Sequence, residues 1–459
     1  MAQSATVPFA QSPLSADFQH MDASEFAQIC QAYNRLWLQE GTFPQIELPA
    51  PGPFKGSGPK MYLCTSWSPI GKTLLQEGAA DDSAILGPLV LVPKGTTNRF
   101  LQSVMAAGNG ALSKFLIRLG ASYQYPHFAE LTHEYSIFSI PAGPKHDMLR
   151  EIYASSASAE KIRACNYQEV LAEGAVRYLE DLRARHLAEG SFSTDIALTI
   201  GRGTVSAAMA NLFGLPLESL NKLVDLSRFM DDTINFSPSH QQLHEADTAA
   251  AQACTLLEEA IKNEALSPAG VLAQEYKRLV TGGSYTREQW AYIALMLIRV
   301  SIENQIDAVN LNCRRFASLA GEEKQALREQ GSVELFTHET MRIDPPIGFI
   351  TRKLTRAYTF DTPVAGKELH LPAGSFVLLV PRILQSHLLA DNCGDYLLTF
   401  GYGRNKVCPG RMQGILTVTV CSQEIFKRFD LAYSEPPQTA DNAFFRRIVA
   451  APGKVTILA

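Results

Sequence analysis

One cysteine in a glycine-rich loop, set between two long helical patterns, constrains this chain more than any other stretch. The loop reads Phe400-Gly-Tyr-Gly-Arg-Asn-Lys-Val-Cys408-Pro-Gly410, with cations at Arg404, Lys406 and Arg411. Glycines let a backbone pass close to a flat cofactor and turn amide hydrogens toward a sulfur. Nearby positive charge favours the ionised thiol. The same residues also describe a turn around a buried, inert cysteine, so the loop must be weighed against the rest of the chain.

The chain has 459 residues, of which 46% are hydrophobic, enough for a large core. Its formal net charge of -5 points neither to nucleic acid nor to an anionic membrane. Eight cysteines stand at 30, 64, 165, 254, 313, 393, 408 and 421, with no Cys-x-x-Cys pair. That scatter argues against zinc, iron–sulfur and disulfide frameworks and for a reducing compartment. Met1 to His20 is polar and small, and no run of about twenty apolar residues occurs. The expectation is a soluble, cytoplasmic protein with no signal peptide and no membrane span.

Residues 1–60 read as an N-terminal segment with one helix, Ala23 to Glu40, and a Pro-rich loop from Pro49 to Pro59. Residues 61–459 read as a single domain. Short strands are expected at Lys60–Ser66 and Ala84–Val92. Amphipathic helical patterns follow at about 145–156, 166–188, 192–213, 217–231, 242–264 and 286–320. Thr286 is a good N-cap for the longest, with Glu288 and Gln289 in its first turn. At 1.5 Å per residue it would run roughly 50 Å and cross a whole domain. Helices at 322–330 and 332–343 come next. Strands are then expected at Phe349–Leu354, Tyr358–Phe360, Glu368–Leu371 and Ser375–Val380, before a last helix from Gly410 to Phe429. The fold class is mostly α with small β-sheets.

Three further groupings carry chemistry. Glu339 and Arg342 stand one helical turn apart on one face, followed by Asp344-Pro345-Pro346 and a strand bearing Arg352. Taken alone, the pair reads as a surface ion pair of little energetic consequence. His146 and Arg150, four apart, aim two donors the same way, which alone describes a solvated helix face. In the long helix, Val300-Ser301-Ile302-Glu303-Asn304 places an acid beside an amide.

Together, in this order over residues 143 to 414, these groupings resemble the cytochrome P450 family. The loop around Cys408 resembles its cysteine-ligand loop, whose thiolate binds haem iron. The resemblance implies the P450 fold with haem b (iron protoporphyrin IX) between the long helix and the loop, and Cys408 as the metal ligand. It implies His146, Arg150, Arg352 and Lys406 as partners of the haem propionates, since carboxylates accept charge-assisted hydrogen bonds strongly. Glu339 and Arg342 would be the family's structural ion pair. Glu303 and Asn304 would face the distal side and handle oxygen. An apolar pocket would be lined by parts of Ala294–Asp307, Ile347–Ile350 and the region before Pro141.

The departures are specific. Counting back 35 residues from Glu339 reaches Asn304, where family monooxygenases carry threonine. An amide cannot ionise to relay protons, although it donates and accepts hydrogen bonds. Phe400 stands eight residues before Cys408, one more than usual. Asn405-Lys-Val-Cys-Pro-Gly410 and Pro144-Lys-His146 are similar to runs in allene oxide synthases and hydroperoxide lyases. Glu303-Asn-Gln305 is similar to a run in fungal hydroperoxide isomerases. No Pro-x-Arg-Phe arginine completes the ion pair, and Arg382 is a poor candidate for it. Two activities stay open on an apolar small molecule or lipid. One is monooxygenase chemistry fed by an electron-donor reductase. The other is isomerase, lyase or dehydratase chemistry on a fatty-acid hydroperoxide without a reductase. A non-catalytic haem sensor or accessory protein, and a helical scaffold without haem, are the readings from other classes.

Overall fold

The computed structural model describes residues 124–137, 143–231, 240–329, 331–348, 350–354, 356–390, 397–401, 407–439 and 447–458. It also describes the short segments 6–7, 28, 32–33, 35–47, 60–64, 74 and 233. The expected strand at Ala84–Val92, most of the expected helix Ala23–Glu40, and both Arg404 and Lys406 lie outside the described residues.

The helices used below are α1 (Pro144–Ser156), α2 (Tyr167–His186), α3 (Gly203–Phe213), α4 (Leu217–Asp231), α5 (His240–Lys262) and α6 (Arg287–Ala317). They continue with α7 (Val333–Ile343), α8 (Pro381–Ala390) and α9 (Arg411–Arg428). The long helix starts where its sequence says it should. Thr286 Oγ1 accepts from the Gln289 amide at 3.2 Å, and Gln289 Oε1 accepts from the Thr286 amide at 2.9 Å, a reciprocal capping box. Every residue from Trp290 to Arg299 is buried, so α6 runs through the interior with neighbours on all sides. α3, α4, α5, α7 and α9 all pack against it. Helix α2 lies against α3 at a backbone-close crossing, where a Cβ on Gly174 would stand 2.5 Å from the Ala207 carbonyl oxygen.

The strands are β1 (Thr6–Val7), β2 (Gln45–Glu47), β3 (Lys60–Cys64), β4 (Ser191–Asp195), β5 (Ile350–Lys353), β6 (Tyr358–Asp361), β7 (Glu368–Leu371) and β8 (Phe376–Leu379), with β9 (Phe429–Tyr433), β10 (Gln438–Thr439), β11 (Ile448–Ala450) and β12 (Pro452–Ile457) near the C-terminus. One sheet has the order β1-β2-β3-β8-β5. Its inner strand β8 is parallel to β3 and antiparallel to β5, with Arg352 opposite Val377. The near-continuous apolar run Phe376-Val-Leu-Leu379 suits a strand covered on both faces. A second core forms there from Phe43, Leu354, Val377, Leu379, Leu384 and Leu398, apart from the main core around α6.

Two elements depart from expectation. The pattern at 192–213 is not one helix, because Ser191–Asp195 pairs with β12 across the whole of its length. The run Ser-Phe-Ser-Thr-Asp is a poor helix former, and the C-terminal strand supplies ladder partners that no local pattern reveals. Helix α8, which had no expected counterpart, fills the interval after β8. Ile196–Phe213 is, among the described residues, the one helical stretch long and apolar enough to cross a membrane, and 72% of it is buried within the protein.

Gly174→Ala should lower stability by about 1–3 kcal/mol, because the new methyl meets backbone atoms of α3 that cannot rotate away. Denaturant unfolding checks this, with a lower midpoint at unchanged m-value expected.

Candidate active site

Cys408 lies between a tight turn at Leu398–Phe400 and the first turn of α9. Gly401 adopts φ 75° and ψ -179°, a region that side chains with a Cβ do not tolerate, so the loop's first glycine is required by backbone geometry. The turn aims its carbonyls back at the loop: the Cys408 amide donates to Phe400 O at 2.7 Å. On the other side, Arg411 N donates to Cys408 O at 3.2 Å, and Gly414 N to Gly410 O at 2.8 Å, which starts α9. Burial pushes the Cys408 thiol up. The Gly410 amide, hydrogen-bonded to the sulfur, and the Arg150 charge pull it back down.

Among the described residues, Arg150 brings a cation to this loop from α1. It donates from Nη2 to the carbonyl of Val407, the residue before the cysteine. His146 sits one turn earlier on the same helix, mostly covered, with Nδ1 3.1 Å from Asp147 Oδ1. Arg352 is buried in the middle of β5.

Glu339 and Arg342 form the expected i,i+3 pair on α7. Arg342 Nε donates to Glu339 Oε2 at 2.8 Å and Nη2 to Oε1, a two-point contact. These bonds hold the Glu339 carboxyl below its ordinary range, with a further contribution from the charge of Arg315 on α6. Arg315 on the long helix thus adds a second positive charge near this pair. Arg315 is fixed there by Thr340 Oγ1 at 3.2 Å and by the Phe336 ring 4.8 Å away.

The segment after β8 contributes something else. Gln385 on α8 is 1% exposed. Its Nε2 donates to the carbonyls of Arg342 at 2.7 Å and Met341 at 3.3 Å, and its Oε1 accepts from the Leu398 amide at 2.6 Å. It thus joins the end of α7 to the turn that begins the cysteine loop.

On α6, Glu303 and Asn304 face different surroundings. Asn304 Nδ2 donates to the Val300 carbonyl at 3.0 Å, one turn back in its own helix, and its buried Oδ1 has no donor among the described residues. Glu303 belongs to a buried cluster of three acids and three arginines. Arg228 Nε donates to Glu303 Oε1 at 3.2 Å, and Arg299 Nε to Asp231 Oδ1 at 2.7 Å. Arg447 lies 3.3 Å from Asp231 Oδ2, 3.5 Å from Glu303 Oε2 and 3.7 Å from Asp307 Oδ2. Burial raises the Glu303 carboxyl despite Arg447 and Arg228. Asp307 is fully buried, and among the described residues neither of its oxygens has a hydrogen-bond donor. Burial pushes it up to about 8, against the partial offset of Arg447, which it shares with two other acids.

Sequence reasoning missed Gln385, Arg315, Asp307 and Arg447. Asp307 had a usable signal, being an acid one turn beyond Glu303 in the same long helix. Arg447 and Gln385 had none, since their partners lie far away in sequence.

No family model matches the chain, and no curated protein matches it. Solved structures do. P450BioI, solved in complex with an acyl carrier protein ligated to hexadec-9Z-enoic acid, superposes at TM-score 0.67 with 15% identity, over 96% of this chain and 100% of its own. CYP154C4 from Streptomyces sp. ATCC 11861 superposes at 0.66 with 16% identity, over 99% of each chain. Epothilone D-bound P450epoK does so at 0.65 with 15% identity, over 98% of this chain and 99% of its own. The chain has the cytochrome P450 fold.

The donor set suits the prosthetic group of that fold. Cys408 is a free thiol with an amide donor and a guanidinium beside it, the setting in which a thiolate persists once a cation shares its charge. Arg150 and His146 lie on one helix beside it, able to take carboxylate groups.

Arg447→Leu leaves Asp231, Glu303 and Asp307 to face one another with one fewer cation and should destabilise the protein by about 3–5 kcal/mol. The pH dependence has a definite sign. Asp307 binds its proton more tightly folded than unfolded, so its stabilising contribution is full below about pH 4 and is lost as pH rises through about 8. Denaturant midpoints measured from pH 5 to 9 should therefore fall less with pH in Asp307→Asn than in the parent.

Proposed function

We propose that this chain is a haem-thiolate oxidoreductase for an apolar small molecule or lipid, and that its substrate arrives as a hydroperoxide. Cys408 would ligate the iron, and His146, Arg150, Arg352 and Lys406 would hold the propionates. Glu339 and Arg342 would brace the helix behind the loop. Haem, when bound, supplies an iron at which an oxygen–oxygen bond can be cleaved.

The observation that carries the hydroperoxide reading is the state of Asn304. A carbonyl can only accept, so the group facing Val300 O must be the NH2, which leaves Oδ1 as the free end of the amide. An acceptor at this position can hold the O–H of a hydroperoxide and orient it. It has no proton to give to an oxygen molecule. Glu303, beside it, is engaged by Arg228 and lies against Arg447.

A second reading, dioxygen-dependent monooxygenation with an electron-donor reductase, is favoured by one fact. Burial raises the Glu303 carboxyl, so an acid able to carry a proton stands one residue from Asn304.

The test is turnover of a fatty-acid hydroperoxide by the haem-loaded chain with no reductase and no NAD(P)H. Product should form under these conditions. Asn304→Leu should lower kcat/KM about tenfold while leaving the haem spectrum unchanged. Product that forms only when electrons are supplied would overturn the hydroperoxide reading in favour of the second.

A further inference from the structure

We propose that Gln385 is a positioning residue for the thiolate, tying the cysteine loop to the Glu339–Arg342 helix. The inference rests on the haem-thiolate reading above and adds to it the group that sets the sulfur's place.

The path is continuous. Two α7 carbonyls accept from Gln385 Nε2, and Gln385 Oε1 accepts from Leu398 N at 2.6 Å. Leu398 opens the turn in which its own carbonyl accepts from Gly401 N at 2.9 Å, and Phe400 N donates to Leu397 O at 3.0 Å. Phe400 O then accepts from Cys408 N at 2.7 Å. One side chain therefore connects the ion-pair helix, through a single rigid turn, to the amide of the cysteine itself. The neighbours on either side of this link are apolar: Leu384 and Leu398 are both buried in the second core. Gln385 is 1% exposed, and its bonds to Met341 O and Leu398 N are buried, so water has little access to replace them.

The chemistry favours an amide for this task. The link needs donors toward two carbonyls and an acceptor toward an N–H, and only a carboxamide offers both ends without a charge. A carboxylate would face the carbonyls with like dipoles, and arginine would leave Leu398 N without an acceptor.

Gln385 touches neither substrate nor haem in this account, so the test reads the sulfur rather than turnover. In haem-loaded full-length protein, Gln385→Leu should lower the thiolate-type carbon monoxide band at about 450 nm several-fold, in favour of a shorter-wavelength band. Gln385→Glu keeps the acceptor for Leu398 and loses the donors, and it should fall between parent and Leu variant. Amide exchange at Leu398 and Cys408 should speed up about tenfold or more in Gln385→Leu, a readout that holds even if the variant loads haem poorly. A parent band with an unchanged band and unchanged exchange in both variants overturns the positioning role and leaves the haem-thiolate reading standing. A parent without the band overturns the haem-thiolate reading itself.

Discussion

The placement of one largely covered sulfur, Cys408, between the turn at Leu398–Phe400 and the start of α9 is the constraint on which the rest depends. Burial alone drives the Cys408 thiol toward its neutral form. The structure opposes that with what stands around the sulfur: the Gly410 amide, the Arg150 charge, and the start of α9 with its partial positive end. The first and third depend on backbone placement, and the second is a side chain reaching in from α1. The loop is consequently pinned at several points, by Phe400 O before the cysteine, by Arg411 N after it, and by Arg150 at Val407.

The long helix meets a different demand. It is buried on every side from Trp290 to Arg299, and it carries Glu303 and Asp307 one turn apart in the interior. Three arginines from α4, α6 and the segment before β11 meet those acids and Asp231. Such a cluster is costly to desolvate and costlier to break. It joins the segment before β11 to the middle of α6, beside Asn304. Asn304 itself bonds along its own helix, and this separates its behaviour from that of the acid beside it.

Legibility in the sequence followed the range of the contacts. The Cys408 loop, the Glu339–Arg342 pair, the His146–Arg150 spacing and the Thr286 capping box are all local, and residue type at fixed spacing was enough to find them. The helices that pack around α6 announced themselves by period. Gln385 did not, because its meaning comes from carbonyls more than forty residues earlier and an amide thirteen residues later. Arg447 reaches Asp231 across 216 positions. Ser191–Asp195 read as the start of a helix because its partner, β12, is supplied by the far end of the chain. No clear arginine after β8 was legible in the sequence to complete the ion pair; Arg315 adds charge near it from α6, and Gln385 supplies a tether.

Iron X-ray absorption on the haem-loaded protein tests the central claim most directly, since it reads the atoms bonded to the metal. The account predicts one sulfur neighbour in the parent and none in Cys408→Ala. A sulfur shell that persists in Cys408→Ala, or its absence from the parent, would contradict it.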